Sequence, residues 1–250
     1  MHASAGGGRE ESVGPDVVVK AGRSRRRAVN EALHYLAMDA VPPPFRTARL
    51  IAWSAEGMML KRLDGAALGA GKILEHDVPA EIAQQCLDLA LATSGWESPV
   101  DGHRFDYRRQ LDWGCERGLL APAELDVLRE HERRAERRFQ HGDLIPSNVI
   151  VGADGAGAID FEWSGRTAVN GLDWATLLVN GWNAETLRSV LLGSWIASTA
   201  DGVLNWASVI CHELRQVERD GGEATWAREA RDLYTQQLPL MRAAVARVMR

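Results

Sequence analysis

Apolar and polar positions in the first sixty residues alternate between strand-like and helix-like patterns. Residues 16–20, DVVVK, form a short β-branched run typical of a buried strand that ends in a lysine. Residues 26–38 place alanines and leucines at helical spacing, and the prolines at 42–44 end that helix. Residues 48–53 and 57–63, ARLIAW and GMMLKRL, are two further predicted strands.

Beyond Asp64-Gly65 the helical pattern dominates. It recurs over residues 78–93, 122–138, 171–181, 184–198 and 223–249. The simplest architecture is an α+β fold of two lobes: a small β-containing N-lobe over residues 1–64 and a mostly helical C-lobe over residues 65–250, with a hinge near Leu63 to Gly69. Residues 1–16 are small, polar and glycine-rich, which is typical of a flexible tail.

A predicted hairpin lies inside the second lobe. Residues 149–161, VIVGADGAGAIDF, contain two apolar runs joined around Asp154-Gly155, a dipeptide suited to the positive φ angles of a tight turn. A hairpin brings its two ends together, so polar side chains that precede and follow it should converge. They are His141, Asp143, Asn148, Asp160 and Glu162.

Such a cluster of carboxylate and amide oxygens suits magnesium, which prefers a few protein oxygens together with phosphate and water. A metal ion would also offset the like-charge repulsion between Asp143 and Asp160, which otherwise raises the pKa of one of them. A metal-dependent hydrolase that uses His141 with the carboxylates is an alternative interpretation of the same residues. It leaves Lys20, Glu31 and the hinge unexplained.

The spacing within the cluster is specific. His141-Gly142-Asp143-Leu144, with Asn148 five positions after the aspartate, matches the kinase catalytic-loop pattern H-x-D-L-x-x-x-N, and Asp160 follows a predicted strand. These two stretches, HGDLIPSN and IDFE, resemble the motifs of the aminoglycoside phosphotransferase and choline kinase family, which has a protein-kinase-like fold. The resemblance is strongest over residues 139–178 and fainter, but in the same order, over residues 17–65.

The resemblance implies an ATP-dependent small-molecule kinase that moves the γ-phosphate to a hydroxyl group. It assigns Asp143 as the catalytic base and Asn148 and Asp160 as Mg²⁺ ligands. The acceptor would be an aminoglycoside-like antibiotic, a sugar or an amino alcohol, and GTP is not excluded as the donor. In such reactions catalysis depends mainly on in-line positioning and on neutralising the charge of the phosphoryl group.

By the same resemblance the N-lobe holds the nucleotide. Lys20 would contact the α- and β-phosphates, and Glu31 on the following helix would hold that lysine in place. The Lys61 carbonyl and the Leu63 amide would bind the adenine edge through the backbone. The structural alternatives are a surface lysine at a strand end, a solvated glutamate on an amphipathic helix, and a plain edge strand.

The amino terminus departs from the family pattern. Only nineteen residues precede Lys20, and the strand that normally comes before the phosphate-covering glycine loop is not evident, although Gly6-Gly7-Gly8 resembles a remnant of that loop. Three interpretations remain open: a true start further upstream, a compact lobe that works without the strand, or an inactive relative. The alternative function is therefore a catalytically weak or inactive kinase-like nucleotide-binding protein.

A second departure follows Glu162, where the family commonly has an Asp-Pro pair and then an aspartate that begins a helix. Here Asp173 matches that last aspartate. It either supports the catalytic loop through hydrogen bonds or serves as a helix N-cap.

Composition narrows the partners to small molecules. The net charge of -5 and pI near 5.8 argue against broad phosphate neutralisation, so no nucleic-acid partner is expected, and the arginines of 131–140 alternate with glutamates on a solvated helix face. Residues 174–250 contain eight acidic residues and eight arginines, which gives no charge preference for the acceptor. The three cysteines are far apart, and no signal peptide or membrane span is evident, which together favour the cytoplasm.

Overall fold

The computed structural model describes residues 9–14, 16–21, 24–54, 56–221 and 224–248. These residues form ten strands and nine α-helices, with three short 3-10 helices. The small lobe and its exit contain β1 (Arg9–Gly14), β2 (Val17–Ala21), α1 (Arg25–Ala40), β3 (Arg46–Thr47), β4 (Arg49–Trp53), β5 (Gly57–Lys61) and β6 (Ala66–Ala67). The rest of the chain contains α2 (Ala80–Gly95), α3 (Tyr107–Glu116), α4 (Pro122–Arg134), β7 (Arg137–Gln140), β8 (Val149–Gly152), β9 (Gly155–Ala158), β10 (Gly165–Val169), α5 (Leu172–Asn180), α6 (Glu185–Gly193), α7 (Ala200–Gly221), α8 (Thr225–Thr235) and α9 (Leu238–Val248).

Four antiparallel strands in the order β1-β2-β5-β4 form the sheet of the small lobe. The interpretation of residues 1–16 as a tail without a strand was wrong for residues 9–14, because β1 pairs with β2 from Arg9 opposite Ala21 to Gly14 opposite Val17. An edge strand is held by backbone hydrogen bonds to one neighbour and needs no apolar pattern of its own. In the described part of the chain β1 alone precedes the lysine-bearing β2, and the glycines at 6–8 lie outside the described residues.

Helix α1 connects the two lobes. It begins after Ser24, whose side-chain oxygen accepts a hydrogen bond from the Arg27 amide at 3.4 Å, and it ends just before the three prolines. Its buried face packs on β4 and β5 and on the short 3-10 helix of residues 161–163. There Tyr35 meets Phe161 edge to face, with ring centroids 5.4 Å apart. The position of α1 is therefore set by both lobes.

The predicted hairpin is formed by β8 and β9, which belong to a second sheet in the order β3-β9-β8-β6. Gly152 lies opposite Gly155, and Gly155 has a φ of 99°. Asp154 has no positive φ, so the expected turn geometry was right for the glycine alone. Because β3 pairs in parallel with β9, this sheet includes a strand from before residue 64.

The sequence pattern missed two helices of the large lobe and merged others. Helices α3 and α7 were not predicted, the helix predicted over 122–138 ends at Arg134 and is followed by β7, and the one predicted over 223–249 is two helices. Helix α7 packs against α3, α5, α8 and α9. Its first turn contains Asp201-Gly202, a dipeptide typical of turns, which hides the start of the helix in the sequence.

The observed lobes confirm the α+β, two-lobed class, with a β-rich first lobe and a larger helical second one. Among the residues with described structure, no helix combines the length and the apolar character needed to cross a membrane.

A buried histidine on α1 couples the packing of the lobes to pH. His34 is fully buried, and its Nε2 lies 2.9 Å from the carbonyl oxygen of Ser164 in the large lobe. Burial lowers the pKa of His34 to about 4, which outweighs the raising effect of the Ser164 hydrogen bond, while the nearby His141 lowers it further. The imidazole is therefore neutral in the folded protein at pH 7.

We expect His34 to make the unfolding free energy depend on pH. The folded pKa of His34 lies below the unfolded value of about 6.5, so the unfolded chain takes up the proton first as the pH falls. The stability that the neutral His34 contributes is therefore complete above about pH 6.5 and is lost as the pH falls toward 4. The unfolding free energy should decrease by up to about 3 kcal/mol over that range. Urea unfolding between pH 7.5 and 5 measures it. His34→Gln should flatten the pH dependence, whereas His76→Gln, at an exposed position, should not. Equal slopes for wild type and His34→Gln would contradict this prediction.

Candidate functional site

The segment that follows β7 is held by a buried aspartate. Asp173 is fully buried in the first turn of α5, and its carboxylate accepts hydrogen bonds from the His141 amide at 2.7 Å and the Gly142 amide at 2.9 Å. The N-cap of α5 is Gly171, so Asp173 supports the loop and is not a cap. Of the two interpretations of this residue, hydrogen bonding to the loop is the correct one.

His141 holds the same loop through its ring. Its Nε2 donates to the Ile159 carbonyl at 2.8 Å, and its Nδ1 accepts from the Asp143 amide at 3.3 Å. That pair of bonds requires the neutral tautomer with the proton on Nε2. Burial lowers the pKa of His141, which also favours the neutral ring. Gly142 has a φ of 80°, and a Cβ there would clash with the carbonyl of Trp163. The loop therefore needs glycine at this position.

Asp143 and Asn148 are brought into contact. The Asn148 side-chain nitrogen donates to the Asp143 carbonyl at 2.9 Å and to its Oδ2 at 3.3 Å. Burial raises the pKa of Asp143 to about 7, helped by the negative charges of Asp160, Glu213 and Glu162, whereas Lys72 opposes the shift. A carboxylate with this pKa is a stronger base than an ordinary aspartate.

Asp160 follows β9 in a strained backbone conformation. Its φ of 70° and ψ of 65° are left-handed, and no other non-glycine residue in the described ranges has a positive φ. Such a conformation costs about 1–2 kcal/mol and persists where the surroundings require it. In this conformation the Asp160 carboxylate, which is 18% exposed, lies close to the small lobe. Its Oδ1 is 3.2 Å from the Lys20 ammonium.

Lys20 and Glu31 form an ion pair in the small lobe. The ammonium lies 2.8 Å from Glu31 Oε1, with side-chain exposures of 3% and 0%. A buried lysine is kept charged only if paired, and here it has carboxylates from both lobes. The two residues are thus neither a surface lysine nor a solvated glutamate.

A cavity of about 390 Å³ opens between the lobes. Its walls are mainly apolar, with Val18, Leu60, Ile150 and Ile159 among them, and Lys20 lies in its lining. Lys61 and Leu63, predicted to bind an adenine edge, also line it, at the point where β5 leaves the sheet. Apolar walls with a few polar groups at one end are typical of small-molecule sites.

The predicted metal ligands meet a chemical requirement of magnesium. Asp160 offers a hard carboxylate oxygen. Asn148 donates hydrogen bonds from its amide nitrogen to Asp143, which leaves its amide oxygen as a second possible metal ligand. Negative charge from Asp160 and Glu162 acts on Asp143, and a cation would offset it. In the described part of the chain, no three or more His, Cys, Asp or Glu residues form a metal-binding group on their own.

Glu162 faces α1. Its carboxylate is 13% exposed and lies 3.7 Å from an Arg27 guanidinium nitrogen, while the Asn30 amide donates to the Glu162 carbonyl at 3.0 Å. This carboxylate is therefore mostly covered and faces a cation of α1.

Two further charged residues, which were not predicted, act on Asp143. Lys72 comes from the segment between β6 and α2, and Glu213 comes from α7; their charged groups are 2.5 Å apart, and both act on the pKa of Asp143. No sequence motif marks either residue. The only signal was that Lys72 is one of three lysines among 29 lysine and arginine residues.

Comparison with known proteins places this site in context. The profile of the phosphotransferase enzyme family matches residues 10–197. No curated protein sequence matches the chain significantly.

Several solved structures resemble this chain over nearly their whole length. The GDP and kanamycin complex of the aminoglycoside phosphotransferase APH(2")-IIIa shares 17% identity at a TM-score of 0.54, covering 98% of this chain and 92% of that one. A choline/ethanolamine kinase family protein from Mesorhizobium loti shares 16% at 0.57, covering 97% and 92%. A ternary complex of a thermostable APH(4)-Ia mutant with AMP-PNP and hygromycin B shares 11% at 0.56, covering 93% and 94%. At these identities the likeness concerns the fold, and it confirms the kinase-like architecture.

Proposed function

Because this chain belongs to the phosphotransferase enzyme family, we propose that it is an ATP-dependent O-phosphotransferase that moves the γ-phosphate to a hydroxyl of a small molecule. One observation carries the proposal. The Asp143–Asn148 pair lies on the large-lobe side of the site, and the buried Lys20–Glu31 pair lies on the small-lobe side. Asp160 touches the small-lobe pair through Lys20 and influences the pKa of Asp143.

The nucleotide would occupy the cavity between the lobes. Its base would lie against the apolar walls and bind the backbone of Lys61 and Leu63, and its phosphates would extend to Lys20. Glu31 holds the Lys20 ammonium at 2.8 Å, so the cation is already oriented before the phosphates arrive. The solved neighbours named with GDP and AMP-PNP support a purine nucleotide, and both ATP and GTP belong in the assay.

Asp143 would act as the general base. Its carboxylate takes the proton of the acceptor hydroxyl as that oxygen forms a bond to the γ-phosphorus, and the bond from phosphorus to the bridging oxygen breaks with its electron pair leaving on ADP. A pKa of about 7 suits this role, since the group is basic enough to accept a proton and still largely ionised at slightly alkaline pH. Asn148 holds the carboxylate through its amide.

Magnesium held by the Asp160 carboxylate and the Asn148 amide oxygen would supply charge neutralisation at the phosphates. Asp173, His141 and Gly142 would act by fixing the loop that carries Asp143. An aminoglycoside-like antibiotic, a sugar or an amino alcohol are the acceptor classes that the family suggests.

We expect acceptor-dependent formation of ADP that stops when EDTA removes magnesium and resumes when magnesium is restored. The assay is coupled ADP detection with ATP or GTP and a panel of hydroxyl compounds, in which Lys20→Gln should lower turnover and weaken nucleotide binding. Arg231→Gln, an exposed charge change on α8, is the matched control.

Nucleotide binding without turnover on any acceptor would instead support the inactive relative. Metal-dependent hydrolysis of a substrate without nucleotide would support the hydrolase.

A further inference from the structure

A lysine reaches the catalytic loop from outside the known motifs. The segment that carries Lys72 is hydrogen-bonded to the loop, because Gly69 donates its amide to the Pro146 carbonyl at 3.3 Å and Ser147 donates its amide to the Gly71 carbonyl at 3.2 Å. These two bonds hold the backbone next to Lys72 against the residues that follow Asp143. The lysine is therefore positioned by the loop itself.

The Lys72 side chain is oriented by one buried acid. Its ammonium lies 2.5 Å from Glu213 Oε2, and the side-chain exposures are 36% for Lys72 and 5% for Glu213. The Glu213 carboxylate is covered by this ion pair, and the negative charges of Asp143 and Asp220 also act on Lys72. The Lys72 ammonium is then the cation that a ligand meets on this side of the site.

The use of lysine in this chain is selective. Of 29 lysine and arginine residues only three are lysines, and all three lie at the candidate site. Lys20 pairs with Glu31, Lys61 lines the cavity, and Lys72 belongs to the segment that is hydrogen-bonded to the Asp143 loop. Lysine is a compact charge with three donors, so it can keep one carboxylate partner and still donate to a ligand oxygen. Arginine supplies the remaining side-chain cations.

This arrangement disfavours a polycationic acceptor. An ammonium group that approached Asp143 from this side would meet the Lys72 ammonium, and it could reach Glu213 only by displacing Lys72 from a buried partner. Juxtaposed like charges cost several kcal/mol in binding. An oxyanion would instead find a charged donor already oriented.

We propose that Lys72, held by Glu213, binds an oxyanion of the acceptor, so that the substrate is a hydroxyl compound with a carboxylate or phosphate group and not a polyamine. This inference rests on the proposed phosphotransferase function. Lys72 is then a specificity-determining residue that touches the substrate at a point away from the transferred phosphate.

The test uses related acceptors with and without an anionic group, together with one polycation. Gluconate and glucitol 6-phosphate each have glucitol as a neutral counterpart, and kanamycin represents a polycation. Binding is measured by calorimetry on the full chain, and KM and kcat by ADP formation. We expect the wild type to bind gluconate or glucitol 6-phosphate ~10- to 100-fold more tightly than glucitol, the effect of one charge-assisted hydrogen bond. Which of the two binds more tightly distinguishes a carboxylate from a phosphate.

Variants assign the preference to Lys72. Lys72→Gln should remove it by raising KM for the anionic acceptor with little change for glucitol, and Lys72→Arg should restore part of it. The double variant Lys72→Gln/Glu213→Gln should lose the same preference without leaving a buried unpaired carboxylate, which guards against misfolding. Arg231→Gln, an exposed arginine, should keep the preference.

Equal binding of glucitol and its anionic counterparts, tightest binding of kanamycin, or an equal loss for glucitol and the anions in Lys72→Gln would each overturn the inference. Transfer to glucitol or kanamycin without anion preference would leave the phosphotransferase function intact. Lysine-dependent binding of an anion without any ADP formation would overturn that function, and with it the role of the anion as an acceptor, and would leave Lys72 as an anion-binding residue only.

Discussion

Replacing Asp143 with asparagine is expected to slow phosphoryl transfer ~100- to 10,000-fold, the usual contribution of a placed general base. The substitution keeps the size of the side chain and removes the group that would accept the hydroxyl proton. Asn148 donates to the Asp143 carbonyl at 2.9 Å as well as to the side chain, so the loop should keep its shape. Turnover is measured by ADP formation with the best acceptor, and nucleotide affinity by thermal shift, which reports ligand binding by mass action.

The two readouts separate chemistry from folding. Nucleotide affinity should stay near the wild-type value because the proposed grip uses Lys20 and Glu31. Asp154→Asn, an exposed turn residue in the hairpin, is the matched control and should leave both readouts unchanged. Full turnover in Asp143→Asn would remove Asp143 from the mechanism.

Replacing Asp173 with asparagine should both destabilise the protein and disturb the catalytic loop. The buried carboxylate accepts two backbone hydrogen bonds, from His141 and Gly142. An amide can offer one oxygen, and its NH2 group would face the other donor. A buried donor left without a partner costs about 1–3 kcal/mol, which corresponds to a melting temperature lower by roughly 2–12 °C for a chain of this size.

Calorimetry measures the loss, and transfer assays below the melting temperature should show a lower kcat, because the residues around Asp143 would no longer be held in place. Asp173→Ala should be at least as destabilising, since it leaves both donors unpaired. A melting temperature equal to that of wild type in both variants would show that the two hydrogen bonds contribute nothing to stability.

Local sequence patterns predicted the fold class and several of its strands and helices. The strand ending at Lys20, the helix carrying Glu31 and the β8–β9 hairpin were predicted near their observed bounds because short runs with clear periodicity and strong breakers specify them. Strand β1 was missed because its stability comes from pairing with β2 and not from its own composition. Helix α7 was missed because its first turn contains Asp201-Gly202, a dipeptide typical of turns.

The candidate site also contains some residues that the sequence predicted and others that only the structure revealed. Asp143, Asn148 and Asp160 were found from a motif with fixed spacing, and the spacing is informative because one loop and one hairpin hold all three. Lys72 and Glu213 belong to no such motif. They meet because the loop after β6 is hydrogen-bonded to the catalytic loop and brings Lys72 to Glu213 on α7.

The sequence by itself determined the fold class, the family and the residues proposed for the chemistry, since each depends on side-chain order over short stretches. Only the tertiary structure decided what surrounds that chemistry: the left-handed backbone of Asp160, the raised pKa of Asp143 and the lysine beside it. Burial and electrostatic interaction depend on distances in space between residues far apart in the chain, and no local pattern encodes those distances.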